Sequence, residues 1–292
     1  MSTLDETLGR ARERLVAAGL VNVETEARRL LAHCLSASTS WTFAHGDEPM
    51  PEEAAARLDE LLERRATREP LQHLLGEVEF WSRSLKVSPA ALIPRPETEH
   101  LVETVLLGLG EKETPRLADI GTGSGCIGLA LLSERPLARL VATDVSEEAL
   151  ALAGENLREA GFEDRVELRC GHLAEPLSDV PLFDVVAANL PYVPQRHLEG
   201  LQVEVRDHEP EVALIGGERG TELVEELIGT APDVLVDDGL LVLEIGLGQH
   251  ERVVEQLELA GYHSVEVVCD LAGIPRTIAA RRQARDPSTE TS

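Results

Sequence analysis

Leu117-Ala118-Asp119-Ile120-Gly121-Thr122-Gly123-Ser124-Gly125-Cys126 is the stretch that decides the fold. Its first four residues read as a buried strand, and the apolar run over 126–134 reads as a helix. Between them stand three glycines at alternate positions. Glycine lets a backbone turn sharply and lets a ligand approach it closely. A strand entering a helix through such a turn is the opening unit of a nucleotide-binding α/β fold.

Downstream the alternation continues. Strands are predicted at 140–143, 166–168, 183–188 and 240–245, with helices at 147–160, near 220–230 and at 249–260. A terminal pair of strands follows at 264–269 and 277–281, and the polar tail from Arg282 reads as frayed. Strands separated by helical segments of ten to fifteen residues argue a mainly parallel sheet covered on both faces. Upstream, a helix through Leu101, Val102, Val105 and Leu106 leads into the sheet.

The segment before the connector has a different character. Leu4, Leu8, Ala11, Leu15 and Ala18 recur at helical spacing, as do Ala27, Leu30, Leu31, Cys34 and Leu35. Pro51-Glu52-Glu53 opens a further helix carrying Ala54, Leu58, Leu61 and Leu62, with proline and acids where a first turn favours them. Residues 79–87, with Phe80 and Trp81, read as a short hairpin or an extended connector. The expected organisation is therefore a small helical domain over 1–75, a connector over 76–96, an α/β domain over 97–284 and a tail over 285–292.

Composition narrows the class. Of 292 residues, 43% are hydrophobic but only 3% aromatic, so the core must be built from Leu, Val, Ile and Ala. The absence of an 18-residue apolar run or a signal-peptide pattern predicts a soluble cytoplasmic protein. Net charge is −26, and Lys86 and Lys112 are the only lysines. Such a field repels a phosphate backbone at long range, so no direct nucleic-acid contact is expected. Cys34, Cys126, Cys170 and Cys269 lack disulfide or metal spacing and read as buried free thiols. No Walker loop and no zinc-spaced His/Cys set occurs, so neither ATP nor a metal is expected.

Asp144 closes the strand that follows the glycine loop and its helix, where a carboxylate accepts ribose hydroxyls. The spacing resembles a dinucleotide site, but the glycine pattern is G-x-G-x-G, and Asp119 stands two residues ahead of it. An acid there repels a pyrophosphate and suits an ammonium or sulfonium group. S-adenosylmethionine fits, with Asp119 near its amino-acid end, Asp144 on its ribose and the Gly121-Thr122-Gly123-Ser124-Gly125 backbone approaching it closely. Gly171-His172-Leu173, ending the third strand, is a candidate for the adenine side.

Asn189-Leu190-Pro191-Tyr192 ends the strand Phe183-Asp184-Val185-Val186-Ala187-Ala188. The Asn189 side-chain oxygen and the Leu190 carbonyl can accept the two hydrogens of a planar amide and fix its nitrogen. Pro191 biases Leu190 toward an extended geometry. Tyr192 can pack over the planar group. These residue types fit methyl transfer to an amide or a ring amine, catalysed chiefly by orientation.

On these and further motifs the chain resembles the bacterial release-factor glutamine methyltransferases, enzymes that methylate the side-chain amide N5 of the glutamine in the Gly-Gly-Gln motif of peptide chain release factors. The likeness takes in Pro70 to Gly76, Glu79-Phe80-Trp81, Leu92-Ile93-Pro94-Arg95-Pro96-Glu97-Thr98-Glu99, Asp119 to Gly125, Asn189 to Tyr192, and Arg206-Asp207-His208-Glu209-Pro210 with Ala213-Leu214 and Gly216-Gly217. It implies a Rossmann-like class I S-adenosylmethionine-dependent domain joined through a hairpin to an N-terminal helical domain that helps engage the release factor, and it implies S-adenosylhomocysteine as product. It also implies that Arg95, Pro96 and Glu97 lie near the entrance to the substrate site, lined by Asn189, Leu190, Pro191 and Tyr192. A monomer is expected. Three positions depart from the family pattern: Leu190 where a second proline is usual, His172 where aspartate is usual, and Ile274-Pro275-Arg276 after Asp270-Leu271-Ala272-Gly273. An adenine N6-methyltransferase for DNA or RNA, whose substrate offers the same planar NH2, is the main rival. Glutamine methylation of another protein is a second.

Overall fold

A computed structural model describes residues 2–284. The chain divides into two compact units, one formed by residues up to 77 together with 202–208, the other by 78–201 together with residues from 209 onward.

The first unit is helical: α1 (Leu4–Ala17), α2 (Val23–Cys34), α3 (Thr39–Ala44), α4 (Glu52–Ala66) and α5 (Leu71–Leu75). Leu8, Leu15, Leu30, Leu31, Leu58 and Leu62 meet in its core, as their helical spacing requires. Thr3 starts α1 with a reciprocal capping box to Glu6. The segment 202–208 joins this unit through charge: Glu204 accepts from Arg65 Nη2 at 3.2 Å and from Arg68 Nη2 at 2.9 Å. Arg65 is buried and also donates to Glu26 at 2.7 Å. The short helices α3 and α5 had no periodic signal in the sequence, because neither is long enough to show one.

The second unit begins with a hairpin, β1 (Glu77–Phe80) and β2 (Arg83–Lys86). Its two-residue loop puts Trp81 and Ser82 at φ 52° and 54°, the left-handed pair that a type I′ turn needs. Neither residue favours that conformation; Trp81 is held there by its backbone N–H on Glu99 at 2.7 Å and its indole N–H on Glu134 at 2.9 Å. Then come α6 (Glu99–Leu109), β3 (Arg116–Ile120), α7 (Cys126–Glu134), β4 (Arg139–Asp144), α8 (Glu147–Glu159), β5 (Val166–Cys170), β6 (Phe183–Ala188), α9 (Val203–His208, in the first unit), α10 (Glu222–Thr230), β7 (Leu235–Glu244), α11 (His250–Leu259), β8 (His263–Cys269) and β9 (Pro275–Arg281).

The sheet order is β5-β4-β3-β6-β7-β9-β8. Strands β3 to β7 pair in parallel, and β9 lies antiparallel between β7 and β8. Alternate residues feed two cores. Ala118, Ile120, Val186, Ala188, Leu241 and Leu243 face α10 and α11, whereas Leu117, Val185, Ala187, Leu240 and Val242 face α6 and α7. A strand buried on both faces must be apolar throughout, which is why its sequence is a continuous run rather than an alternation.

Two expectations need correction. Arg282 does not fray: it is 4% exposed and donates to the Leu235 carbonyl. Of the four free cysteines, Cys34 and Cys126 are buried, but Cys170 and Cys269 are exposed because they end the outermost strands β5 and β8. The tail over 285–292 lies outside the described residues.

Candidate active site

The chain builds outward from β3 in two directions, first through β4 and β5 and then through β6 and β7. Loops at the carboxyl ends of β3 and β6 therefore diverge, and ligands of open α/β sheets bind in the crevice that results. Here that crevice is a cavity of about 470 Å³, the size range of small-molecule sites. Gly121 and Gly123, Asp144, His172, and Asn189, Leu190 and Pro191 all line it. Residues far apart in the chain thus share one wall, and parallel register is what brings them together.

The glycine loop is closed by backbone hydrogen bonds within itself and to β4. Gly121 and Thr122 N–H both donate to the Thr143 carbonyl at 2.9 Å, and Gly125 N–H donates to the Thr122 carbonyl at 2.8 Å. Gly121 has φ 71°, and a Cβ added there would stand 3.1 Å from the Leu190 side chain. Asp144 is fixed by two backbone donors: Gly123 N–H on Oδ2 at 2.9 Å and Ser146 N–H on Oδ1 at 3.0 Å. Each carboxylate oxygen keeps a second lone pair for a hydroxyl donor.

Asp119, Thr122 and Gly125 are absent from the cavity wall. Strand alternation turns Asp119 to the α7 side of the sheet, where it is fully buried. Its Oδ2 accepts from Thr122 Oγ1 at 2.7 Å and from Gly128 N–H at 3.3 Å, so the carboxyl braces the loop from behind. Burial pushes it up to about 6, against those two hydrogen bonds, and nearby Asp144 adds to the rise. His172 reaches the wall, but its Nε2 pairs with Glu226 at 2.8 Å.

The turn after β6 is pinned from several elements. Asn189 Nδ2 donates to the buried Thr98 hydroxyl at 3.1 Å. Gln249 Nε2 donates to the Tyr192 carbonyl at 2.9 Å, and Val193 N–H donates to the Leu214 carbonyl at 2.9 Å. The Tyr192 ring lies off the cavity, where burial pushes its hydroxyl up to about 12; Glu244, Arg95, Arg276 and Glu97 act on it there. Arg95 and Glu97 thus stand near Tyr192, and none of Arg95, Pro96 and Glu97 is on the cavity wall. Arg95 is already ion-paired to buried Glu209, whose other oxygen accepts from Ile93 N–H at 3.2 Å.

Gly171 and Leu173 line the cavity beside His172, but sequence reasoning missed the rest of the apolar wall, formed by Ala91, Leu92, Val145, Val212 and Ile215. Single apolar residues in loops carry no signal of their own. It also missed Glu244, an acid closing the apolar run Leu240-Leu241-Val242-Leu243, now 3% exposed beside the turn. That break in the apolar run was the available clue.

With this geometry in view, the relatives are informative. A family profile described as the PrmC N-terminal domain matches residues 6–76, and one described as the methyltransferase small domain matches 98–204. The chain is 40% identical over 280 residues to the release factor glutamine methyltransferase of Cereibacter sphaeroides, covering 96% of this chain and 98% of the relative. It is 41% identical over 282 residues to that of Moorella thermoacetica, covering 96% and 99%. The chain belongs to the release factor glutamine methyltransferase family. It is accordingly a methyltransferase, of a family that depends on S-adenosylmethionine. Solved structures agree on the fold. A methyltransferase from Pyrococcus furiosus superposes with TM-score 0.52 at 19% identity, over 68% of this chain and 88% of that one. The hMettl16 catalytic domain, solved with a MAT2A 3′UTR hairpin, gives 0.58 at 18% identity, over 80% and 82%. Among the described residues, no helix is long and apolar enough to cross a membrane.

Proposed function

We propose that this chain methylates the side-chain amide N5 of the glutamine in the Gly-Gly-Gln motif of peptide chain release factors. The observation that carries the reading is the juxtaposition of Asn189 and Leu190 with Gly121, Gly123 and Asp144 around a single cavity. The donor set suits S-adenosylmethionine: an anchored carboxylate for ribose hydroxyls, a glycine floor without side chains, and apolar walls. Asp144 holds the ribose, Gly121 and Gly123 give the methionine end close backbone contact, and Asp119 acts indirectly by bracing their loop. When bound, S-adenosylmethionine supplies a sulfonium-activated methyl group and leaves as S-adenosylhomocysteine.

The rest is done by the turn. An amide nitrogen is a weak nucleophile because its lone pair is shared with the carbonyl. The Asn189 side-chain oxygen and the Leu190 carbonyl accept its two hydrogens and hold it in line for transfer. Both acceptors bind more strongly as positive charge develops on that nitrogen, so they favour the transition state over the ground state. The excess proton leaves to solvent after the N–C bond has formed, and no strong base is needed. Tyr192, whose ring lies off the cavity, borders the amide from the other side of the turn, with Arg95 and Glu97 near it. Leu190, standing where the family has proline, gives up backbone stiffness and keeps the carbonyl. The N-terminal helical unit engages the release factor.

Net charge of −26 and the full-length likeness to protein methyltransferases favour a protein substrate over a nucleic-acid one. Peptide-mapped mass spectrometry of a release factor incubated with the enzyme and S-adenosylmethionine tests the reading. A gain of about 14 Da, one methylene, is expected on the Gly-Gly-Gln glutamine and should be absent from a Gln-to-Ala substrate. An unmodified glutamine, with cofactor binding shown, would reject it.

A further inference from the structure

Glu244 ends β7 on the same sheet face as Val242 and Leu240, and Asn189 follows β6 on the same face as Ala187 and Val185. Ala188 pairs with Leu243, so the next step along both strands sets Asn189 beside Glu244. On its other side Glu244 pairs with Thr277 of β9. The acid is nearly inaccessible, and neither its Oε2 nor the Thr277 hydroxyl has a hydrogen-bond partner. A buried carboxyl left partly unsatisfied costs stability. Packing alone does not account for it.

What it touches suggests the use. The Asn189 nitrogen already donates to Thr98 Oγ1 at 3.1 Å. Thr98 and Asn189 both act on the Glu244 carboxyl to favour its ionised form. An asparagine carboxamide has two faces of nearly equal shape and opposite polarity, and its neighbours decide which way it lies. A carboxylate is an acceptor only, so it selects the orientation in which the nitrogen faces inward.

We propose that Glu244 is a positioning residue for Asn189: with Thr98, it turns the Asn189 nitrogen inward and so presents the oxygen to the substrate amide. The proposal rests on the methyl-transfer reading above. A flipped Asn189 would set its own NH2 against the substrate NH2, two donors facing each other, and transfer would lose its acceptor. Protonated Glu244 acquires a donor and can bond the Asn189 oxygen instead, so the ionised form is the active one.

Burial pushes the Glu244 carboxyl up to about 7. Thr98 and Asn189 lower it by hydrogen bonding, Glu97 raises it and Arg276 lowers it. The Tyr192 hydroxyl and the Cys126 thiol also sense this acid, but both are pushed up to about 12 and keep their protons throughout the working range. The rate should therefore rise with pH through neutrality.

The test compares wild type with Glu244→Gln, a variant of the same shape that does not ionise. Wild-type kcat on a release factor should show a rising limb centred near pH 7. In Glu244→Gln the limb should vanish, and kcat should sit about tenfold below the wild-type plateau, with the affinity for S-adenosylhomocysteine unchanged. Thr98→Val should lower kcat as well while keeping the limb. In parallel, the side-chain NH2 resonance of Asn189 should shift with pH through the same window in wild type and stay fixed in Glu244→Gln. Matching pH profiles and matching resonances in the two proteins would overturn the proposal. A wild type that fails to methylate the glutamine would instead reject the functional reading, and the resonance titration would still decide whether Glu244 sets the orientation of Asn189.

Discussion

The loop after β3 and the turn after β6 line one cavity, yet they are stabilised in opposite ways. In the loop, contacts are local: Asp119 reaches Thr122 and Gly128, and Asp144 reaches Gly123 and Ser146, at separations of 2 to 21 residues. In the turn the side-chain contacts are remote: Asn189 reaches Thr98 across 91 residues, and Gln249 reaches the Tyr192 carbonyl across 57. A locally closed loop keeps its shape with few tertiary constraints and can serve many ligands that share one end. A turn assembled from distant elements is correct only when the whole sheet is in register, and that suits a group that must hold one amide in one orientation.

The two halves of the site should therefore fail separately. The largest effect should come from Asn189→Ala, which removes one of two acceptors on the reacting amide: kcat should fall by about 10³-fold or more, while titration with S-adenosylhomocysteine gives a dissociation constant within about twofold of wild type. Loss of cofactor binding in that variant, with the fold intact, would break the comparison. Asp144→Ala should show the converse, with cofactor affinity weakened by about 10- to 100-fold and kcat at saturating cofactor much less changed; an unaltered dissociation constant would remove Asp144 from the ribose.

A smaller effect distinguishes the two buried acids. Asp119 is raised from 3.8 to about 6 and Glu244 from 4.5 to about 7, burial being the main cause in both. Each carboxyl binds its proton more tightly in the folded chain than in the unfolded one. Unfolding therefore releases protons in this range, and stability falls as pH rises from about 4 to about 7. Each acid accounts for a loss on the order of 3 kcal/mol. Glu244→Gln should flatten the upper part of that decline, between about pH 6 and 7, and Asp119→Asn the lower part. Urea denaturation at unit pH steps measures both, and parallel curves for the three proteins would show that these groups do not set the slope.

Much of the architecture was legible before any coordinates. The 126–134 helix and the 183–188 strand are found where apolar runs predict them, because each run is bounded within a few residues by glycine or proline. The hairpin was ambiguous for a physical reason: Trp81 and Ser82 occupy left-handed conformations that the sequence does not advertise, and Glu99 and Glu134 hold Trp81 in place. Arg282 looked like tail because a buried arginine is recognisable only by the carbonyl it serves.

The sequence by itself determined the α/β class, the glycine loop, the carboxylate at the end of the next strand and the Asn-Leu-Pro-Tyr turn, since each is written within a few consecutive residues or at a fixed spacing. Tertiary structure alone decided that Asp119 lies behind the loop, that Arg95 is paired with Glu209, and that Glu244 stands beside Asn189. Those facts depend on which face of a strand a side chain occupies and which strand pairs with which. Pairing between strands distant in the chain is selected by the packed sheet as a whole, through burial shared among all of its members, and no local stretch of sequence carries it.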